Sequence, residues 1–179
     1  MRSPCVAVAA LLLAACAGPG FLYPATDLDF ELSGRIAATY RDDAGSGNIA
    51  WRHGARVDEM LLTTPFGQGI ARLARAGNEI TLTTQSGREF RAADAEELTE
   101  QVLGFRLPLV GLADWVRGRA ASKPAPGPTA ERRDEKGRLV EFEQSGWKIR
   151  YLEYADALPS RLALNYPGLE LSIAISEWK

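Results

Sequence analysis

The chain contains a single histidine, His53, so a Ser-His-Asp triad or a histidine-based metal site would have to be built around one imidazole. His53 stands directly before Gly54 at a turn signal, a poor position from which to orient a nucleophile or share a metal. The carboxylates Asp94, Glu96 and Glu97 resemble an acid-base group in composition only, because they open an interval with helical periodicity, where the helix dipole favours negative charge. Gly67-Gln68-Gly69 begins like a dinucleotide fingerprint, but the third glycine is missing and the segment runs on into a strand-like pattern where a phosphate loop needs a helix. These residue types supply no catalytic constellation. The expectation is a protein that is not an enzyme and uses no metal or cofactor.

Cys16 is the residue with a chemistry of its own. Residues 6–15 form an uninterrupted apolar run, too short to span a bilayer as a helix and of the length of a secretory signal. The run closes with Leu13-Ala14-Ala15-Cys16, which resembles the lipobox of bacterial lipoproteins, where the cysteine thiol takes a diacylglycerol before cleavage. On this reading residues 1–15 are a signal peptide that removes Cys5, and acylated Cys16 leaves no thiol for a disulfide, so the fold rests on its apolar core. Ala17 stands where an Asp would favour retention in the inner membrane, which points to the outer membrane. Residues 16–29, with Gly18, Pro19, Gly20 and Pro24, form a tether able to stretch to about 45 Å. The formal net charge of −2 argues against nucleic acid as a partner.

An apolar residue in an unusual place lies within residues 60–73. Two strand-like runs are joined by Pro65-Phe66-Gly67, and Pro followed shortly by Gly is turn chemistry. A large side chain at the tip of a reversal cannot easily fold beneath its own hairpin, so Phe66 either points outward or tucks against a neighbouring loop.

The elements that must hold these residues follow from periodicity. From Phe30 the chain alternates strictly, with Phe30, Leu32, Gly34, Ile36, Ala38 and Tyr40 on one face. The same alternation recurs around Trp51, Leu82, Phe142, Ile149, Leu164 and Ile173, separated by turn signals such as Ala44-Gly45, Ser86-Gly87, Lys136-Gly137 and Pro167-Gly168. This predicts a large curved antiparallel sheet, apolar on one face. Helical signals fall in residues 94–118. Asp94 with Glu97 forms a capping-box pattern ahead of Ala95, Leu98 and Val102, and Gly104 closes that helix; Pro108 then opens a second helix that places Leu109, Leu112, Ala113 and Val116 on one face before Gly118. Two short helices thus cover the sheet. Residues 123–128 are a proline-rich surface loop, and 30–179 form one domain.

The runs Leu61-Leu62-Thr63-Thr64-Pro65-Phe66-Gly67, Asp94-Ala95-Glu96-Glu97-Leu98, Leu107-Pro108-Leu109 and Asp114-Trp115-Val116-Arg117-Gly118, in this order, resemble the outer-membrane lipoprotein receptors of the LolB family. The resemblance runs in register from about Phe30 to the C-terminus. It implies an incomplete β-barrel under a helical lid that accepts acylated lipoproteins from the periplasmic carrier LolA and inserts them into the outer membrane, as a lipid-anchored monomer facing the periplasm. In that family the residue between Pro and Gly of the hairpin, usually Leu, acts in membrane insertion; Phe66 occupies that position, between Pro65 and Gly67. Ile36, Trp51, Leu98, Val102, Leu112, Val116 and Ile149 are expected to line the acyl cavity, since acyl chains are recognised by apolar area, with about 0.8 kcal/mol per buried methylene. The alternative is a lipid-anchored scaffold in which the same residues form a filled core.

Overall fold

The computed structural model describes residues 20–23, 27–77, 79–103, 105–122 and 125–179. The signal run, Cys16, Gly104 and the Lys123-Pro124 pair lie outside the described residues. The first half carries β1 (Leu28–Tyr40), β2 (Asp43–Gly54), β3 (Val57–Thr63), β4 (Gly69–Ala76), β5 (Glu79–Thr84) and β6 (Glu89–Ala92). Helices α1 (Ala95–Leu103) and α2 (Leu109–Trp115) follow. The second half carries β7 (Thr129–Arg133), β8 (Leu139–Gln144), β9 (Trp147–Ala155), β10 (Leu158–Tyr166) and β11 (Leu169–Trp178).

All the strands belong to one antiparallel sheet in the order β6-β5-β4-β3-β2-β1-β11-β10-β9-β8-β7. Each strand pairs with its chain neighbour, and β11 returns to β1, with Ile36 opposite Ile173. The exception is the step from β6 to β7: these strands are the two open edges, and the helices are inserted between them in the chain. The barrel is therefore open where its lid is connected.

Strand alternation turns into a continuous apolar surface through the register. Leu32 faces Trp51, Trp51 faces Met60, Met60 faces Leu73, Leu73 faces Leu82 and Leu82 faces Phe90, one apolar row crossing six strands. In the other half Leu171 faces Leu164, Leu164 faces Ile149 and Ile149 faces Phe142. A one-residue slip would turn a whole row to water, so burial itself fixes the register.

The helix signals act locally as their residue types suggest. Asp94 Oδ1 accepts the Glu96 N–H at 2.8 Å, and the Asp94 carbonyl accepts the Leu98 N–H at 3.2 Å. The Pro108 carbonyl accepts from Leu112 N–H at 2.8 Å, and Gly118, at φ +77°, donates to the Trp115 carbonyl at 3.0 Å to end the turn.

One reading of the sequence differs from the structure, and two strands went unread. Ala44-Gly45 is not a turn but the start of β2; the reversal is at Arg41-Asp42, with Arg41 at φ 55°. Farther along the strand Gly47 is required by close packing, because a Cβ there would come within 2.4 Å of the Thr63 carbonyl oxygen, whereas a Cβ on Gly45 would meet nothing within 4 Å. The edge strands β6 and β7 carry no signal of their own. Every residue of β7 is exposed and its pairing to β8 shifts register, so it exists by pairing with β8 rather than by burying a face.

Candidate functional site

The β3–β4 hairpin ends in a compact turn. Thr64 N–H donates to the Gln68 carbonyl at 2.8 Å, Gly67 N–H donates to the Thr64 carbonyl at 2.9 Å, and Gly67 sits at φ +84°. This is a type I turn closed by a left-handed residue, a common three-residue hairpin connection. Pro65 supplies the fixed φ its first corner needs. Between them Phe66 is 93% exposed, so it is not packed beneath a neighbouring loop. Ile70, at the register shift near the start of β4, is also exposed.

The apolar face of the sheet is closed by the two helices. α1 packs on β5 and β6, and the end of α2 is bonded to β8 and β9. Trp115 Nε1 donates to Gln144 Oε1 at 2.9 Å, and the same oxygen accepts Ala121 N–H at 2.7 Å. The Gln144 amide nitrogen donates to the carbonyls of Ala121 at 3.0 Å and Pro126 at 2.6 Å. One buried amide thus holds α2 and the loop after it against β8. Tyr151 adds a hydrogen bond from its hydroxyl to the Trp115 carbonyl at 2.7 Å. Burial pushes the Tyr151 phenol well above its ordinary range and the Tyr154 phenol up to about 12.

Between the helices and the sheet lies a cleft of about 780 Å³, bordered among others by Ile80, Ala95, Leu109, Trp115 and Ala121, with Arg75 and Asp94 at its polar rim. Its size falls within the range of sites for small apolar ligands. The seven residues expected to line an acyl cavity are not among those bordering this cleft. Trp51, Leu98, Leu112, Val116 and Ile149 are at most 2% exposed, while Ile36 and Val102 are half-buried against them. All seven belong to the same apolar cluster as Ile80, Leu109 and Trp115, which do border it.

The family model described as outer membrane lipoprotein LolB matches residues 28–178. The chain belongs to the LolB family. Among curated relatives it is 37% identical to the outer-membrane lipoprotein LolB of Thiobacillus denitrificans over 154 residues, covering 84% of this chain and 80% of that one. It is 36% identical to the outer-membrane lipoprotein LolB of Chromobacterium violaceum over 179 residues, covering 95% and 94%. The crystal structure of a LolA superfamily protein from Nitrosomonas europaea superposes with a TM-score of 0.54 at 14% identity, covering 86% of each chain, a likeness of fold alone.

The LolB-like run at 114–118 has a visible job for each residue. Asp114 gathers Arg117, Arg119 and the hydroxyl and amide of Ser122 at 3.0 to 3.1 Å. Trp115 bonds Gln144, Val116 is fully buried, Arg117 lies 5.3 Å over the Phe30 ring, and Gly118 supplies the left-handed turn. The run is a latch that ends the lid. Sequence reasoning missed Gln144, which reads as an ordinary polar strand end, and it missed the cluster around Asp58. There Asp58 accepts from Trp51 Nε1 at 3.0 Å and Arg75 Nη2 at 2.6 Å and lies 2.6 Å from His53 Nδ1, so the lone histidine is tied into a structural network and stacked on Phe30. The third missed residue is Glu59, fully buried on the outer face of β3.

Proposed function

We propose that this LolB-family protein is a lipoprotein receptor of the outer membrane: it takes acylated lipoproteins from the carrier LolA into its apolar interior and delivers them to the bilayer. The observation that carries this reading is the pairing of a helix-covered apolar sheet face with a 93% exposed Phe66 at a hairpin tip. Cys16 carries the acyl anchor, residues 1–15 are removed, and the body works as a monomer beside the membrane. Acyl chains enter when the lid helices lift, and Ile36, Trp51, Leu98, Val102, Leu112, Val116 and Ile149 become the cavity wall. Their dense packing in the closed form suits an apolar site without cargo, because an unfilled cavity of that size would cost contacts.

Pro65-Phe66-Gly67 then leads the cargo across the headgroup layer. Burying a Phe side chain is worth about 1.5 to 3 kcal/mol, enough to bias the body toward the bilayer but too little to hold it there. No step in this reading is catalytic. The test is transfer of a radiolabelled lipoprotein from its complex with LolA to the purified protein and on to liposomes. Transfer to both supports the reading; failure of the first step overturns it.

The full burial of five of the seven wall residues favours the second reading, a lipid-anchored scaffold with a filled core. Titration with a fluorescent fatty-acid analogue separates the two. Saturable binding weakened by Val102→Asn, at unchanged thermal stability, supports a cavity, and absence of binding supports the scaffold.

A further inference from the structure

Glu59 is out of place in two respects. It lies on the outer face of β3, where alternation calls for a solvated side chain, and it is wholly buried. What covers it is residues 20–23, upstream of the domain. Both carboxylate oxygens accept the Leu22 N–H, at 2.8 and 2.9 Å, and Oε2 also accepts the Tyr23 N–H at 3.2 Å. The charge is balanced by Arg72, whose Nε lies 3.3 Å away and whose Nη2 donates to the Gly20 carbonyl at 2.6 Å. On the neighbouring strand, Arg52 stacks over the Phe21 ring at 3.9 Å and reaches the Tyr23 carbonyl at 3.4 Å.

A buried ion pair is a weak source of stability, because desolvation offsets most of its attraction; what it supplies is one defined position. Here the position has a direction. Leu28, where β1 begins, pairs with Gly54, at the end of the hairpin remote from its tip, about 30 Å from Phe66 at about 3.3 Å per residue. Going backwards from Leu28, the chain passes Tyr23 beside Arg52 and reaches Gly20 beside Arg72, which pairs with Leu61, only about 15 Å along the strand from Phe66. The clamp turns the upstream chain back toward the tip.

We propose that Glu59 is a positioning residue for delivery into the membrane: by clamping residues 20–23 to the outer face of β2–β4, it makes the lipid anchor and Phe66 approach the same patch of bilayer. This rests on the reading of Cys16 as the anchor and Phe66 as the inserting residue. With the clamp closed, the four steps of chain from Cys16 to Gly20 can cover at most about 14 Å, comparable to the distance from Arg72 to the tip. With it open, the span runs to Leu28 and reaches about 40 Å from the wrong end of the hairpin. Effective concentration falls roughly as the −3/2 power of linker length, so a threefold longer span lowers the rate of tip contact about fivefold.

The experiment compares lipidated protein and its unlipidated Cys16→Ala form, each with and without Glu59→Ala, in lipoprotein acceptance from LolA and insertion into liposomes. The expected result is a loss of about fivefold in insertion for lipidated Glu59→Ala, with acceptance unchanged and no effect of Glu59→Ala in the unlipidated pair. Equal losses in both pairs mean that Glu59 is merely structural, and no loss in either means that the clamp is idle; each overturns the proposal. A second variant leaves the domain untouched: eight Gly and Ser residues inserted between Pro19 and Gly20 should reproduce the fivefold loss with Glu59 in place. Insertion at the parent rate by that protein also overturns the proposal. If the unmodified protein accepts no lipoprotein at all, the receptor reading fails first, and this proposal falls with it.

Discussion

Three hairpin turns of this molecule share one backbone and differ in what they present. At 64–68, 84–88 and 134–138 the first residue donates its N–H to the carbonyl of the fifth at 2.8 to 2.9 Å, and the fourth, a glycine, donates to the carbonyl of the first at 2.9 Å. Gly67, Gly87 and Gly137 have φ of +84°, +78° and +77°. At the middle position stand Phe66, Ser86 and Lys136. Ser86 Oγ is 3.0 Å from Thr84 Oγ1, and Lys136 N–H donates to Asp134 Oδ1 at 2.9 Å. Both are ordinary solvated turn residues. The same geometry is thus built twice without an apolar residue, so turn formation does not account for Phe66. The membrane contact proposed above supplies a reason for an exposed aromatic ring that turn formation does not.

The largest expected effect breaks this contrast directly. Phe66→Lys, which gives the turn the middle residue of its counterpart at 136, should lower insertion of lipoproteins into liposomes by at least tenfold, since about 1.5 to 3 kcal/mol of burial is lost. Acceptance from the carrier should stay unchanged and the melting temperature should move by less than about 2 °C. A fall in acceptance and stability together would place Phe66 in the fold and not at the membrane. The reciprocal pair, Phe66→Lys with Lys136→Phe, tests location: recovery of insertion would mean that any exposed Phe suffices.

A smaller effect checks the shared backbone. Ala at Gly67, Gly87 or Gly137 meets nothing within 4 Å, so each substitution should cost only the left-handed strain, about 1 to 2 kcal/mol in urea unfolding. Costs differing by more than that strain would show that the turns are not equivalent.

The 134–138 turn has a tie that the 64–68 turn lacks: Arg138 lies 4.4 Å over the Tyr154 ring, and Tyr154 donates to the Leu139 carbonyl at 2.7 Å. Burial raises the Tyr154 phenol from 10.0 to about 12. The folded chain therefore keeps a proton that the unfolded chain releases above pH 10.0. Its stabilisation is full below that pH and is lost as pH rises toward about 12. Thermal melts between these limits should show a falling stability that Tyr154→Phe partly flattens, whereas Phe66→Lys leaves the slope unchanged. The smallest expected effect is that of Phe66→Leu, which keeps an apolar tip and should leave insertion within about twofold of the parent, given the similar burial energies of the two side chains.

Much of this architecture is legible in the residues alone. Strand alternation depends on two-residue periodicity alone, so Phe30, Leu32, Trp51, Ile149 and Leu164 could be assigned to one face without knowing their partners. Pro65 and Gly67 announce their turn through their own φ preferences, and Asp94 and Gly118 announce helix ends. The misread Ala44-Gly45 shows the limit. Small residues carry a turn signal wherever they stand, and only the pairing of Ala44 with Thr39 and of Gly45 with Ala38 places them inside β2.

By itself the sequence determined the kind of sheet, the number and place of the covering helices, and the presence of an apolar residue at a hairpin tip, because each is a property of neighbours along the chain. The tertiary structure alone decided that β11 returns to β1 while β6 and β7 stay apart, that Gln144 latches the lid, and that Glu59 holds residues 20–23 across the outer face. Those are contacts between residues far apart in sequence, 29 positions for Trp115 and Gln144 and 37 for Leu22 and Glu59. No local propensity encodes them, since each needs a partner that only the fold brings within reach, without which a buried polar group would be destabilising.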